Sequence, residues 1–180
     1  LQTDQKPNPT LWMGVSSRSS AEWEGRNGCN FVSLGTAAQV REQTIAFRAA
    51  RDQTGDTEAE RLMGLGRFVI VASTDAAALA IARRVYPRWH AHYHHLYHAH
   101  GTTPVLGERP PEFDLIKDGG RGIAGSPETV ARMIRAQMRE ADANYFVGQF
   151  VFGDMTEAEA RQSVSLFAER VMPLCQRADE

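Results

Sequence analysis

Apolar residues fall along this chain in short runs, separated by polar stretches that repeat with helical spacing. Leu11-Trp-Met-Gly-Val15 is the first run, bounded by Pro7, Pro9 and a serine cluster, and it reads as a buried strand. Ser19 or Ser20 can cap a short helix from Ala21 to about Asn27, which Gly28 closes. Asn30-Phe-Val-Ser-Leu34 reads as a second strand. The spacing then predicts a helix from Thr36 to about Thr54, with Val40, Ile45 or Phe47, and Ala49 on its apolar face and Gly55 ending it. Gly66-Arg-Phe-Val-Ile-Val-Ala72, rich in β-branched and aromatic residues, is the clearest strand. Thr74 and Asp75 supply the cap and the first-turn charge of a long helix through Tyr97, which Pro87 is expected to kink or divide. Residues 101–122, with prolines and glycines throughout, read as an irregular insertion. Ser126-Pro-Glu opens a helix to about Ala141, Tyr145–Phe152 is a fourth strand, and Thr156-Glu-Ala-Glu159 is a capping box for a last helix that Pro173 stops.

This order repeats strand and helix four times, with an extra helix before the last strand. Such alternation implies parallel strands joined by right-handed crossovers, in an α/β fold with helices outside. Apolar runs without strict alternation imply that both sheet faces are covered. Four such units make either a small open sheet or half of an eight-stranded barrel. At 180 residues, one domain is the expectation.

Charge narrows the function classes. Twenty basic and 22 acidic side chains give a net charge of −2, with no basic stripe to suggest nucleic acid. No apolar run is long enough to span a bilayer. Cys29 and Cys175 match no metal-ligand spacing and read as thiols of a reducing compartment, so a cytoplasmic location is expected. The first residues, Leu1 to Pro7, carry no basic segment followed by an apolar one and no initiator Met. A piece of a longer protein is the expectation.

Candidate chemistry begins at Val15-Ser-Ser-Arg-Ser-Ser20, which leaves the C-terminal end of a strand and enters a helix. Ligands of βα proteins bind at that end, and a helix start offers free N–H groups and the positive end of its dipole. The hydroxyls of Ser16, Ser17, Ser19 and Ser20 and the Arg18 guanidinium are therefore candidate phosphate donors, although serines also cap helices without any ligand. The competing loop Ala124-Gly-Ser-Pro-Glu128 reads as structural, because Glu128 already answers the dipole.

Several segments resemble the luciferase-like flavin monooxygenases. They are Leu11-Trp-Met-Gly-Val-Ser-Ser; Ser20-Ala-Glu-Trp-Glu-Gly-Arg-Asn-Gly-Cys-Asn-Phe-Val-Ser; Val71-Ala-Ser-Thr-Asp-Ala-Ala-Ala; Ile123-Ala-Gly-Ser-Pro-Glu-Thr-Val; and Asn144-Tyr-Phe-Val-Gly-Gln-Phe-Val-Phe-Gly-Asp-Met-Thr, with Ser165-Leu-Phe-Ala-Glu-Arg-Val-Met-Pro closing the series. The resemblance extends from about Pro7 to Leu174. It implies a TIM barrel of which this chain is the last four βα units, with the 101–122 excursion as the insertion before the final strand. It also implies reduced FMN, or a deazaflavin in some branches, an organic small-molecule substrate, O₂, and a separate flavin reductase. The flavin phosphate would lie on Val15–Ser20, where Ser16, Ser17 and Ser20 align with phosphate or ribityl contacts; luciferase itself carries an acid at the Ser16 position. The family's catalytic histidine belongs to the first half of the barrel, so no catalytic residue is assigned here. A half barrel is expected to pair with its own copy or with the missing half. A second reading is a binding module without turnover.

All six histidines fall between His90 and His100, and His90, His94 and His98 share one helical face with ligand spacing for zinc, nickel or copper. With no cysteine and few carboxylates nearby, the expectation is a polar helix with imidazoles in solvent and no resident metal; a histidine-based metal binder is the third reading. Trp12, Trp23 and Trp89 are expected to pack. Thr74 reads as a cap; Ser73, Thr36 and Asp154 should lie at the ligand-facing strand ends.

Overall fold

The computed structural model describes residues 9–55, 61–104 and 107–176, so Leu1–Pro7 lie outside the described residues. Five strands, β1 Trp12–Gly14, β2 Asn30–Ser33, β3 Met63–Val71, β4 Gly122–Gly125 and β5 Tyr145–Gln149, form one parallel sheet. Between them run α1 Arg18–Asn27, α2 Ala37–Asp52, α3 Asp75–Ala99, α4 Phe113–Asp118 and α5 Pro127–Ala141; α6 Glu157–Leu166 follows the last strand. The expected α/β architecture with parallel strands is what the chain adopts.

Strand β3 organises the sheet. Its start pairs with β2 (Phe31 with Met63), its end with β4 (Val71 with Gly125), and its middle with β5 (Gly66 with Val147). Leu62 accepts from Phe31, and Phe68 and Ala72 donate to Arg121 and Gly125, whereas Met63 accepts from Asn144. Alternate residues of a strand address opposite edges, so β2 and β4 lie in tandem along one edge and β5 takes the other. Phe68, Ile70 and Ala72 pack on α3 and α4, while Val69 and Val71 face α5 and the C-terminal helical segment. Every residue of β3 is buried, as its apolar run requires.

The start of β3 and all of β4 depart from the sequence expectation for the same reason, a shortage of side chains to read. Met63-Gly-Leu-Gly66 extends the strand because β2 closes over it: a Cβ on Gly64 would lie 2.8 Å from the Phe31 carbonyl. Gly122-Ile-Ala-Gly125 is a strand carrying two glycines, and α4 also arises inside the supposedly irregular insertion. At the other end, β5 stops at Gln149, after which Phe150 and Phe152 turn into separate cores.

Strand β1 is exposed, contrary to the buried strand expected, because only one of its edges and little of its surface find partners among the described residues. Trp12 nevertheless meets Tyr145 of β5 with ring centroids 5.0 Å apart. Strands are about 4.8 Å apart in a flat sheet, so rings separated by β2 and β3 touch only because the sheet is strongly curled. Trp89 packs on Phe68 as expected, at 4.6 Å, whereas Trp23 is 52% exposed.

The helices correct smaller points. In α2 the buried face is Val40, Gln43, Thr44, Ala46, Phe47 and Ala50, leaving Ile45 and Ala49 in solvent. Pro87 does not divide α3: Arg83, whose carbonyl loses its helical partner there, is exposed, so that carbonyl can be hydrated. Pro173 likewise does not stop the last helix. A π-helical turn, Phe167–Val171, runs without a break into a final segment α7, Met172–Gln176, which carries the proline.

Candidate functional site

Parallel pairing brings the turns after β1 and β2 to the same end of those strands, level with the middle of β3. There a cavity of about 280 Å³ is lined by Ser16, Ser17 and Arg18 from the first turn, Gly35, Gln39, Glu42 and Gln43 from the second turn and α2, and Arg121 from the residue before β4. Of the candidate phosphate donors, Ser16, Ser17 and Arg18 are brought together at one opening. Ser20 is not among the lining residues.

The local reason is a capping box displaced from the expected position. Ser17, not Ser19 or Ser20, is the N-cap of α1: its Oγ accepts from the Ser20 N–H at 3.2 Å, and its own N–H donates to Ser20 Oγ at 3.2 Å. Ser20 Oγ also donates to the Ser17 carbonyl at 2.9 Å, which commits that hydroxyl to the turn. Arg18 lies along its own helix, with Nε 3.0 Å from Glu22 Oε1. Gly28, in the left-handed conformation at φ 66°, closes α1 as expected.

Electrostatics single this cavity out. Helices α3, α5 and α6 each carry an acid in the first turn, but α1 and α2 carry none, and both of their N-termini abut the cavity. Two uncompensated dipole ends thus face one opening. Arg121 adds a cation, with its Nη2 3.4 Å from Gln39 Oε1. Burial, and then the charge of Arg109, lower the Arg121 pKa. Below it Arg67, buried in β3, donates to the carbonyls of Gly35 at 2.9 Å and Gly66 at 2.7 Å and to Gln137 Oε1 at 2.6 Å. Burial first, then Arg121, pull the Arg67 pKa down to about 10. No carboxylate pairs with Arg67, Arg109 or Arg121 among the described residues. Gln43, 4% exposed, lines the cavity with Oε1 unbonded among the described residues. An anion answers this field; Glu42 is the one carboxylate at the opening and opposes it.

Sequence reasoning missed Arg67, Gln43 and Arg121. Arg67 had a visible signal, a lone charge heading an apolar β-branched run. The missing first-turn acid of α2 was equally visible. Arg121 had none, since only the insertion's path brings it to Gln39. The remaining rim residues are structural: Thr36 and Thr74 cap α2 and α3, and Asp154 lies 3.6 Å from Arg84. Ser73 is exposed.

The histidines form a separate group at the far end of α3. Five of the six are exposed or half-buried, as expected, but His94 is 2% exposed. Its Nδ1 lies 2.9 Å from Glu108 Oε2, and His98 Nε2 lies 3.4 Å from Glu108 Oε1. Burial, with the neighbouring His90, lowers the His94 pKa. The insertion thus supplies a carboxylate that the local sequence lacked.

Comparison with known proteins gives consistent results. The model of the luciferase-like monooxygenases matches residues 1–145. An uncharacterized protein, y4wF, of Sinorhizobium fredii is 31% identical over 156 residues, 86% of this chain and 45% of that protein. Among solved structures, monooxygenase RslO1 of Streptomyces bottropensis superposes with a TM-score of 0.76 at 20% identity, over 96% of this chain and 50% of its own. The oxygenating constituent of 3,6-diketocamphane monooxygenase of Pseudomonas putida, solved with FMN, gives 0.69 at 19% identity, with the same coverages. The chain thus spans half or less of the length of these relatives. Among the described residues no helix is long and apolar enough to cross a membrane.

Proposed function

Because the chain belongs to the luciferase-like monooxygenase family, we propose that the rim cavity holds the phosphate end of a flavin mononucleotide in a flavin-dependent monooxygenase of which this chain is the C-terminal half. The observation that carries the reading is the convergence of two acid-free helix N-termini and Arg121 on one small opening. Ser16 and Ser17 would offer hydroxyls, the first turns of α1 and α2 their free N–H groups, and Arg121 a cation. Arg67 positions Gly35 from beneath rather than touching the ligand. Arg18 can join by leaving Glu22, and Ser20 contributes by holding the turn.

When bound and reduced, the flavin would supply the electrons that activate O₂ for transfer of one oxygen atom to an organic small molecule. This chain's share would be to bind the phosphate, fix the orientation of the ring system over the sheet and exclude water from one side. Reduced flavin would come from a separate reductase; a deazaflavin is the alternative cofactor, carried by the same phosphate contacts.

Titration of the chain with FMN and with riboflavin tests the reading, because only FMN carries the phosphate. FMN is expected to bind more than tenfold tighter than riboflavin, and Arg121→Ala to remove most of that preference while leaving riboflavin affinity unchanged. Equal affinities for the two in the unsubstituted chain would overturn it. The free edges of β1 and β5 favour one further reading, a module that binds flavin and associates with a partner half without turnover by itself. Binding without reductase-dependent O₂ uptake by the chain would support that reading.

A further inference from the structure

We propose that His94, His98 and Glu108 form a binding site for a divalent transition-metal ion of the zinc type, tying the end of α3 to the insertion that follows it. His94 and His98 stand one helical turn apart, and Glu108 reaches them from across the insertion, presenting a different carboxylate oxygen to each ring at 2.9 and 3.4 Å. The three donor atoms all lie within 4.8 Å of one another. For zinc–nitrogen and zinc–oxygen bonds of about 2.0–2.1 Å, ligand atoms at tetrahedral angles are separated by about 3.3 Å, a spacing that the two imidazole–carboxylate gaps, each to its own oxygen of Glu108, bracket.

The surroundings fit the same reading. His94 is almost fully buried, and neither of its ring nitrogens has a hydrogen-bond partner among the described residues, so burial has desolvated the ring without satisfying either one. His90 Nε2 lies 2.6 Å from the Arg109 carbonyl and anchors the backbone next to Glu108. The Arg109 guanidinium sits over Trp89 and Tyr93, 5.7 and 5.5 Å from the ring centres, without bonding to Glu108. Its charge is the unfavourable feature; the ring faces absorb part of it. His98 and Glu108 are more than half exposed, which leaves an entry path and room for a water as the fourth ligand. Imidazole with one carboxylate suits zinc, nickel or copper rather than calcium or magnesium. The ion would fix the segment that continues to Arg109 and α4.

Calorimetric titration of the untagged chain with zinc chloride alone tests this. One equivalent is expected to bind, and the melting temperature to rise with zinc. His98→Ala and Glu108→Gln should each weaken binding at least tenfold and abolish the rise; both residues are exposed, so neither change removes core packing. The double variant His92→Ala/His95→Ala, which removes exposed imidazoles on other faces, should bind as the unsubstituted chain does. Cobalt(II) should give the intense visible absorption of a tetrahedral site, lost in Glu108→Gln. Zinc affinity unchanged by Glu108→Gln, or lost in the His92/His95 double variant, would overturn the proposal, as would absence of binding. The flavin reading stands or falls separately, since none of these residues lines the rim cavity.

Discussion

Strands β1 and β3 are both read from apolar runs, yet their surroundings are opposite. β3 has neighbours on both edges and cores on both faces, and all nine of its residues are buried. Among the described residues β1 has β2 on one edge alone; Trp12 and Met13 keep 40% and 45% of their surface in water. Burial therefore follows from the packing that covers a strand, not from its own apolarity: β4, paired on one edge, is buried throughout. An edge strand with exposed apolar residues is an association surface.

The largest expected effect that tests this contrast is Ile70→Ala, which should cost about 2–5 kcal/mol through lost burial and a cavity. Met13→Ala removes a comparable side chain from β1 and should cost about 1 kcal/mol, because part of that surface is already wet. Urea denaturation of both variants measures the difference; equal losses would break the comparison. Glycines sharpen it further. Gly64→Ala puts a methyl 2.8 Å from the Phe31 carbonyl and 2.9 Å from Val32 Cγ2 and should cost about 1–3 kcal/mol, whereas Gly14→Ala meets nothing within 4 Å and should be neutral or slightly stabilising in the same assay.

The smallest effect concerns the clasp beyond the end of β3, where Asp75 accepts from the Ser126 N–H at 2.7 Å and the Thr129 hydroxyl at 3.1 Å. Those bonds, the Ser126 backbone first, hold its carboxyl below the ordinary 3.8. The unfolded chain binds that proton more readily. The stabilisation is therefore present above about pH 3.8 and is lost as pH falls through the lower folded value. Asp75→Asn should be less stable than the parent at neutral pH, and the gap should narrow on acidification. A gap independent of pH would remove the carboxylate from this role.

Much of this architecture was readable in the chain. Local signals, the Gly28 closure, the Ser126-Pro-Glu start and the Thr156 capping box, were legible because each is decided within four residues. The cap at Ser17 was read two or three residues late, since four hydroxyls in five positions leave the choice to the turn's geometry. β4 and the first residues of β3 were missed because glycine carries no pattern, and strand identity there is imposed by the neighbours that close over it. For the site, the serine turn was legible but its partners were not. Arg121 reaches Gln39, and Glu108 reaches His94, through the path of the insertion, which no short-range spacing encodes.

Trp12 and Tyr145 stand on the first and last strands, 133 residues apart in sequence, and touch only when the intervening strands have curved. Closing so long a segment is entropically unfavourable until most of the local units exist. In a variant with Trp23 and Trp89 replaced by Phe, indole emission from position 12 therefore offers an optical clock for this late stage of assembly. The same ring pair would report whether a companion half slides between the outer strands or docks against their backs.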